Sequence, residues 1–306
     1  MTERYFVTGT DTEVGKTVAS AALLQAARLL GKTTAGYKPV ASGSEMTPEG
    51  LRNTDALALQ RNSSLALAYS AVNPYTFAEP TSPHIVSADE DRPIDFSVLS
   101  SGLRDLETQA DWVLVEGAGG WFTPLSDEQT FADWVRAEQL PVILVVGVKL
   151  GCINHAMLTA QAVQQAGLRL AGWIANDVVA PGKRHAEYLA TLKRVLPAPF
   201  LGEIPWLADG AEQAETGRYL DLSALCPAPS TNRHSQLPIL PYEQLTQPAG
   251  EALPCAIPGR IQNQHARAIN QRTGEGQLIL VVGGQRRGTA LSQRIEFRKQ
   301  GVHVIF

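Results

Sequence analysis

The chain has 306 residues, of which 44% are hydrophobic and 18% are charged, and its formal net charge is −4 at pH 7. This length and composition are typical of a globular protein of one or two domains. The small negative charge gives no indication of nucleic acid or an anionic membrane as a partner, and no apolar run is long enough to predict a membrane span. The N-terminal residues lack the basic and apolar pattern of a signal peptide, so we expect a cytoplasmic protein.

The cysteines and histidines do not indicate a metal site or a disulfide framework. The three cysteines are few and far apart, and the six histidines form no pair with the spacing of metal ligands. His155 and His185 are expected to be helix-surface or interface residues.

A glycine-rich loop, residues 9–17, follows the first apolar run and opens the first helical pattern. Its sequence, Gly-Thr-Asp-Thr-Glu-Val-Gly-Lys-Thr, has the order of a phosphate-binding loop, in which backbone N–H groups point at an anion. We expect Lys16 to reach the β- and γ-phosphates of a nucleotide and the Thr17 hydroxyl to bind Mg²⁺. The loop is one residue longer than the usual G-x-x-x-x-G-K-[ST], because Thr10 occupies the position of the first glycine.

A second predicted strand, residues 33–40, delivers a lysine and a small-residue loop. Lys38 precedes a proline, which favours an extended backbone at that point, and Ser42 lies in the following loop. Ligands of open α/β sheets bind beyond the carboxyl ends of the strands. We therefore expect Lys38 and Ser42 on the same edge of the sheet as the phosphate-binding loop.

A carboxylate ends the buried strand predicted at residues 112–116. Glu116 follows four apolar residues and precedes a glycine-rich segment, as in a Walker B strand. A buried carboxylate requires a nearby cation, and Mg²⁺ held by Thr17, Asp55 and Glu116 would supply one. Asp55 lies in the first turn of a helix predicted from Asn53, where it is explained equally well by the helix dipole.

Further strands predicted at residues 141–147, 169–175 and 200–204 alternate with helical patterns. This alternation predicts an α/β fold, a P-loop NTPase-like parallel sheet with helices on both faces and right-handed crossovers. The pair Asn176 and Asp177 follows one strand, where it is interpreted either as a nucleobase contact or as a turn.

The last part of the chain differs in composition. Residues 227–306 contain nine Lys/Arg and four Asp/Glu, a net charge of +5, whereas the other 17 Lys/Arg and 26 Asp/Glu give residues 1–226 a net charge of −9. We expect residues 1–226 to be a P-loop domain. Residues 227–306 are expected to be a Pro/Gln-rich basic extension of low order, largely linker or disordered. Within this extension, residues 227–276 are expected to be a linker or disordered arm. Two strand-like runs, residues 277–282 and 301–306, are expected to form a short hairpin or to add to an existing sheet.

Four segments together resemble the dethiobiotin synthetase family: residues 9–17, Gly-Tyr-Lys-Pro-Val at 36–40, Glu-Gly-Ala-Gly-Gly at 116–120 and Lys-Leu-Gly-Cys-Ile-Asn at 149–154. The resemblance covers roughly residues 1–226. It implies a homodimeric ATP- and Mg²⁺-dependent ligase of biotin biosynthesis that makes dethiobiotin, ADP and phosphate from 7,8-diaminopelargonic acid, CO₂ and ATP. The implied route passes through a carbamate and a carbamic–phosphoric anhydride.

The resemblance also implies a role for each matching residue. Lys38 is the catalytic lysine, assisted by Lys16, and the Mg²⁺ ligands are Thr17, Asp55 and Glu116. The implied ATP contacts are Glu13, Val14, Gly15, Lys16, Thr17, Val18, Asp55, Glu116, Gly117, Ala118, Gly119, Asn176, Asp177, Pro205, Trp206, Leu207 and Glu212. The implied substrate contacts are Thr12 and Ser42 near the reacting amines, and Gly151, Asn154 and Tyr188 near the carboxylate, where a neighbouring subunit takes part.

Two other functions are considered from the sequence. A P-loop ATPase switch or partition-type binding module usually has an extra lysine early in the loop, where this chain has Asp11. A cobyrinate-type amide synthase requires a long C-terminal domain with a cysteine nucleophile and a histidine. Cys255 and His265 lie in a short Pro/Gln-rich segment instead.

Overall fold

A computed structural model describes residues 2–207 and 215–225, together with six short strands between residues 267 and 305. The chain forms two compact units, Met1–Thr231 and Asn232–Phe306, which are described separately. Among the described residues, no helix has the length and apolar character needed to cross a membrane.

The first unit contains ten strands, eight α-helices and a short 3₁₀ helix, Thr216–Tyr219, within the described residues. The strands are β1 (Glu3–Gly9), β2 (Thr34–Tyr37), β3 (Val40–Ala41), β4 (Glu45–Thr47), β5 (Gly50–Arg52), β6 (Tyr75–Thr76), β7 (Trp112–Glu116), β8 (Val142–Gly147), β9 (Leu170–Asn176) and β10 (Phe200–Ile204). The helices are α1 (Lys16–Leu29), α2 (Thr54–Asn62), α3 (Tyr69–Val72), α4 (Pro83–Asp89), α5 (Phe96–Glu107), α6 (Phe131–Ala137), α7 (Cys152–Gln165) and α8 (His185–Val195).

Six strands form one parallel sheet in the order β10-β9-β8-β1-β7-β2. All residues of β7, β8 and β9 are buried, as expected for strands covered on both faces. One core cluster contains side chains of α5 to α8, and a second contains side chains of α1 and α2. The predicted fold, a parallel sheet with helices on both faces, is therefore confirmed.

Local signals explain where the helices begin. The Asn53 side chain accepts hydrogen bonds from the N–H groups of Asp55 and Ala56, and so caps α2 as predicted. Helix α5 begins after Asp95, whose side chain accepts from the Ser97 N–H group. The short elements β3 to β6, α3, α4 and α6 were absent from the sequence prediction, because they are too brief to show a clear period.

The second unit differs in part from what its composition predicts. Its strands are β11 (Arg267–Arg272), β12 (Leu278–Gly283), β13 (Gln285–Arg286), β14 (Thr289–Ala290), β15 (Arg294–Glu296) and β16 (His303–Ile305). The two predicted runs correspond to β12 and β16, which pair with each other in parallel within a four-stranded sheet and so form no hairpin together. A parallel pair requires a crossover rather than a tight turn.

The antiparallel partner of β12 is β11, which lies within the stretch predicted as linker or disordered arm, residues 227–276. These six residues therefore form a strand within a stretch that is expected to be largely linker or disordered. Gln and Pro dominate the average composition there and obscure a short extended run. The remainder of that stretch lies outside the described residues.

Candidate active site

The strand order brings three of the predicted site segments to one edge of the sheet. Strand β7 lies between β1 and β2, with Val7 opposite Glu116 and Tyr37 opposite Val115. The Gly117 N–H group donates to the Val7 carbonyl over 3.0 Å. Because the three strands end level with one another, the phosphate-binding loop, Lys38 and Glu116 meet at their carboxyl ends, as predicted.

The end of the phosphate-binding loop depends on a glycine and on a contact with Asn176 just before α1. Gly15 has a φ of +80°, a conformation that favours glycine, and a Cβ atom there would lie 2.0 Å from Asn176 Nδ2. The same Asn176 amide donates to the Val14 carbonyl over 3.0 Å. No described side chain caps α1, so its first N–H groups are available to an anion.

Asn176 therefore supports the loop from the tip of β9, a role that the sequence did not indicate. The sequence offered a nucleobase contact or a turn, because it gave no information on which strand tip lies beneath the loop. With its Nδ2 group committed to Val14, Asn176 has its Oδ1 atom left as an acceptor.

Lys38 lies at the centre of the site and is 3% exposed. Its Nζ atom donates to Glu116 Oε1 over 2.7 Å, to Asp55 Oδ2 over 3.1 Å and to the Gly117 carbonyl over 3.0 Å. Burial acts to lower the pKa of Lys38, but the Glu116 and Asp55 carboxylates outweigh it and raise the pKa above its usual value. The cation expected beside the buried Glu116 is thus provided by the protein itself.

Three hard oxygen donors, on Thr17, Asp55 and Glu116, lie at the same edge of the sheet as this lysine. The Thr17 hydroxyl donates to Glu116 Oε1 over 3.0 Å, while Glu116 Oε2 is buried without a hydrogen-bond partner among the described residues. Burial would raise the pKa of Asp55, but the Lys38 ammonium group lowers it below its usual value. An ionised Asp55, the Thr17 hydroxyl and the unpaired Glu116 oxygen are a donor set that fits Mg²⁺.

A second lysine lies close enough to feel the charge of the first. Lys16 Nζ donates to the Asp11 carbonyl over 3.1 Å. Burial, and then the positive charge of Lys38, lower the pKa of Lys16 to about 8. Two buried ammonium groups that repel each other form a site that favours an anion.

The predicted substrate-side residues lie in different places. Thr12 is exposed in the phosphate-binding loop, and Ser42 follows β3, where its carbonyl accepts from Asn53 Nδ2. Gly151 precedes α7, Asn154 is exposed on α7, and Tyr188 lies half-buried on α8. Among the described contacts, no hydrogen bond or ion pair joins the residues of α7 and α8 to Lys38 or Glu116 within one chain.

The predicted nucleobase residues gather at the ends of β9 and β10. The Asp177 N–H group donates to the Ile204 carbonyl over 3.0 Å, which places Pro205, Trp206 and Leu207 beside it. Trp206 is 48% exposed. Glu212 lies outside the described residues.

Comparison with known proteins matches the chain closely to one group. A family model described as an AAA domain matches residues 3–214. The ATP-dependent dethiobiotin synthetase BioD of Pseudescherichia vulneris is 77% identical over 238 residues, which are 78% of this chain and 99% of that protein. ATP-dependent dethiobiotin synthetase BioD 1 of Escherichia coli strain K12 is 77% identical over 225 residues, 74% of this chain and 100% of that protein. The Salmonella typhimurium protein of the same name is 79% identical over 225 residues, 74% and 99% of the two chains.

Solved structures with a similar chain path are more distant in sequence. The septum site-determining protein MinD of Pyrococcus horikoshii, complexed with Mg-ADP, is 19% identical, with a TM-score of 0.45 over 72% of this chain and 87% of that chain. A ParA family ATPase from Chlorobium tepidum is 11% identical, with a TM-score of 0.43 over 74% of this chain and 94% of that chain.

Proposed function

Because the chain belongs to the ATP-dependent dethiobiotin synthetase family, we propose that Lys16, Lys38 and Glu116 mark its active site. The chain is an ATP-dependent ligase that forms dethiobiotin in biotin biosynthesis. The observation that supports this location is the buried Lys38, which bonds to two carboxylates beside a phosphate-binding loop.

The proposed reaction joins two amines of 7,8-diaminopelargonic acid through one carbon. One amine adds to CO₂ and loses a proton, which gives a carbamate. A carbamate oxygen attacks the γ-phosphorus of ATP, and ADP leaves, so that a carbamic–phosphoric anhydride forms. The second amine then attacks the carbonyl carbon, and inorganic phosphate leaves as the cyclic urea closes.

The main obstacle in this reaction is charge, because an anionic carbamate must approach an anionic triphosphate. Phosphoryl transfer depends chiefly on positioning and on neutralisation of charge. Lys16 is proposed to bind the β- and γ-phosphates and Lys38 to face the carbamate. Burial and then repulsion from Lys38 lower the pKa of Lys16, and anions placed between the two lysines would offset both effects.

We propose that Mg²⁺ is held by Thr17, Asp55 and Glu116, on the strength of the unpaired buried oxygen of Glu116. When bound, the ion supplies neutralisation of the phosphate charge. The first N–H groups of α1 bind phosphate oxygens, and Asn176 Oδ1 is free to accept a hydrogen bond from the adenine amino group.

The proposed enzyme is a homodimer that pairs through α7. Leu150, Met157 and Leu158 are respectively 86%, 47% and 58% exposed, so the start and outer face of α7 carry apolar side chains that favour a covering partner. This pairing would explain why Asn154 and Tyr188 lie apart from Lys38 within one chain. Light scattering should give twice the chain mass for the wild type and the chain mass for Leu158→Glu.

The test of function uses the full chain with ATP, Mg²⁺, bicarbonate and the diamine, and mass spectrometry detects dethiobiotin. Lys38→Gln should retain ATP binding and lose product formation, whereas Lys183→Gln, which alters an exposed lysine, should behave as wild type. Unchanged turnover in Lys38→Gln would remove Lys38 from the mechanism. Steady ATP hydrolysis without the diamine, and no dethiobiotin with it, would favour an ATPase switch instead.

A further inference from the structure

Three side chains from separate elements converge beyond the ends of β9 and β10. Asp177 follows β9, Glu203 lies on β10 and His185 is the first residue of α8. One ligand atom of each residue lies within 4.8 Å of the other two. In the part of the chain that the structure describes, no other group of three His, Cys, Asp or Glu residues meets this condition.

This cluster, Asp177, His185 and Glu203, has too few hydrogen-bond donors and too little positive charge for its two carboxylates. His185 Nε2 lies 2.7 Å from Asp177 Oδ1 and 3.5 Å from Glu203 Oε1. A ring nitrogen carries at most one proton, so it can donate one good hydrogen bond and leaves the second carboxylate without one. Even with a protonated imidazole, two carboxylates leave a net negative charge. No Lys or Arg pairs with either acid among the described ion pairs.

Burial of the Asp177 carboxylate increases the free-energy cost of this unpaired negative charge. The Asp177 side chain is 2% exposed, so its charge has little access to water. The His185 and Glu203 side chains are 16% and 35% exposed, which leaves one side of the cluster open. A cation placed among the three atoms would be bound by all of them and could take a water molecule from the open side.

We propose that Asp177, His185 and Glu203 form a binding site for a divalent transition-metal ion such as Zn²⁺, Co²⁺ or Ni²⁺. One imidazole nitrogen with two carboxylate oxygens is a ligand set that these ions accept, whereas Mg²⁺ prefers oxygen ligands alone. Zinc bonds of about 2.0–2.2 Å in tetrahedral geometry place ligand atoms roughly 3.3 Å apart. The separations of 2.7 and 3.5 Å at His185 therefore need only small side-chain movements.

This site is distinct from the proposed magnesium site in both ligands and position. It shares no residue with Thr17, Asp55 and Glu116, and it lies at the opposite end of the strand order from β2. Binding of the metal ion to this site is measured in the absence of nucleotide, so its result does not depend on the proposed function.

The test is titration of the full chain, treated with chelator and free of nucleotide, with ZnCl₂ and separately with MgCl₂ in a calorimeter. The variants are His185→Ala and Glu203→Gln, and the matched controls are His155→Ala and Glu187→Gln, which alter an exposed histidine and an exposed glutamate. Binding of CoCl₂, followed by its visible absorption, reports whether a protein nitrogen enters the coordination sphere.

We expect a saturable Zn²⁺ site that weakens at least about tenfold in both variants, the lower end of losses seen when partners of metal ligands are removed. The two controls should bind as wild type, and Mg²⁺ should not compete. Circular dichroism verifies that each variant is folded. If His185→Ala does not fold, the Zn²⁺ affinity of Glu203→Gln alone tests the proposal. Absence of Zn²⁺ binding, undiminished binding in the folded variants, or equal loss in His155→Ala would overturn the proposal and leave an ordinary ion pair.

Discussion

Replacing Lys38 with Met removes the ammonium group that pairs with Glu116 and Asp55 over 2.7 and 3.1 Å. Glu116 is fully buried, so its charge would remain without a positive partner and without water, with only the Thr17 hydroxyl donating to it. Breaking a buried ion pair by removing one member costs about 3–5 kcal/mol. We expect the free energy of unfolding of the Lys38→Met variant to fall by about this amount.

Urea unfolding followed by circular dichroism measures the loss. For a slope of about 2–3 kcal/mol per molar urea, the midpoint should fall by roughly 1–2.5 M. Lys32→Met is the matched control, because Lys32 pairs with Glu3 over 2.8 Å while its side chain is 33% exposed. A partly exposed pair contributes about 0.2–1 kcal/mol, so the control should change little.

The double variant Lys38→Met/Glu116→Gln separates charge from packing. Because it removes the stranded carboxylate, it should be less destabilised than the sum of the two single variants, by at least about 1–2 kcal/mol. A Lys38→Met protein within about 1 kcal/mol of wild type, or strictly additive effects, would refute the view that Lys38 compensates the buried charge of Glu116.

Three further predictions concern the loop and the chain end. Nucleotide binding at about pH 9 should take up a proton. Burial and a neighbouring ammonium group lower the pKa of Lys16 to about 8, and a bound phosphate raises that pKa again. Calorimetry in buffers of different ionisation enthalpy measures the uptake, and a binding heat that does not depend on the buffer would refute it. Gly15→Ala should weaken ATP binding at least about tenfold, because the new Cβ atom would lie 2.0 Å from Asn176. Gly31→Ala is the control, since Gly31 has the same φ of +80° but open space around it. This control should lose only about 1–2 kcal/mol of stability and should bind ATP as wild type does. A chain ending at Leu225 should fold and retain full activity, because the 225-residue match covers 100% of the Escherichia coli relative; loss of cooperative unfolding would contradict it.

The sequence predicted the main elements of the first unit well, for physical reasons visible in particular runs. Strand β7 consists of four apolar residues followed by Glu116. Strand β10 matches its predicted range, residues 200–204. The runs at β7, β8 and β9 are buried along their whole length, as expected for strands covered on both faces, whereas β10 lies at the edge of the sheet and is only partly buried. The cap at Asn53 likewise fixed the start of α2.

The contacts between these elements were harder to predict, because they depend on strand order and on side-chain direction. The sequence predicted Lys38 and Glu116 at one edge of the sheet but did not indicate that the two side chains contact each other. Asn176 supports Val14 across 162 positions of sequence. His185 was expected on a helix surface or interface, yet it approaches Asp177 because α8 begins over the end of β9.

The strand order explains why one lysine can serve both stability and the proposed chemistry. Lys38 follows directly on Tyr37, which lies opposite Val115, so the register places Lys38 opposite Glu116. A shift of one residue in this pairing would turn Lys38 to the other face of the sheet and leave Glu116 buried without a positive partner. The buried carboxylate therefore penalises a one-residue shift from the register that brings Lys38 to the phosphate-binding loop. Under this argument, the ion pair selects the geometry that the site requires even where it adds little net stability.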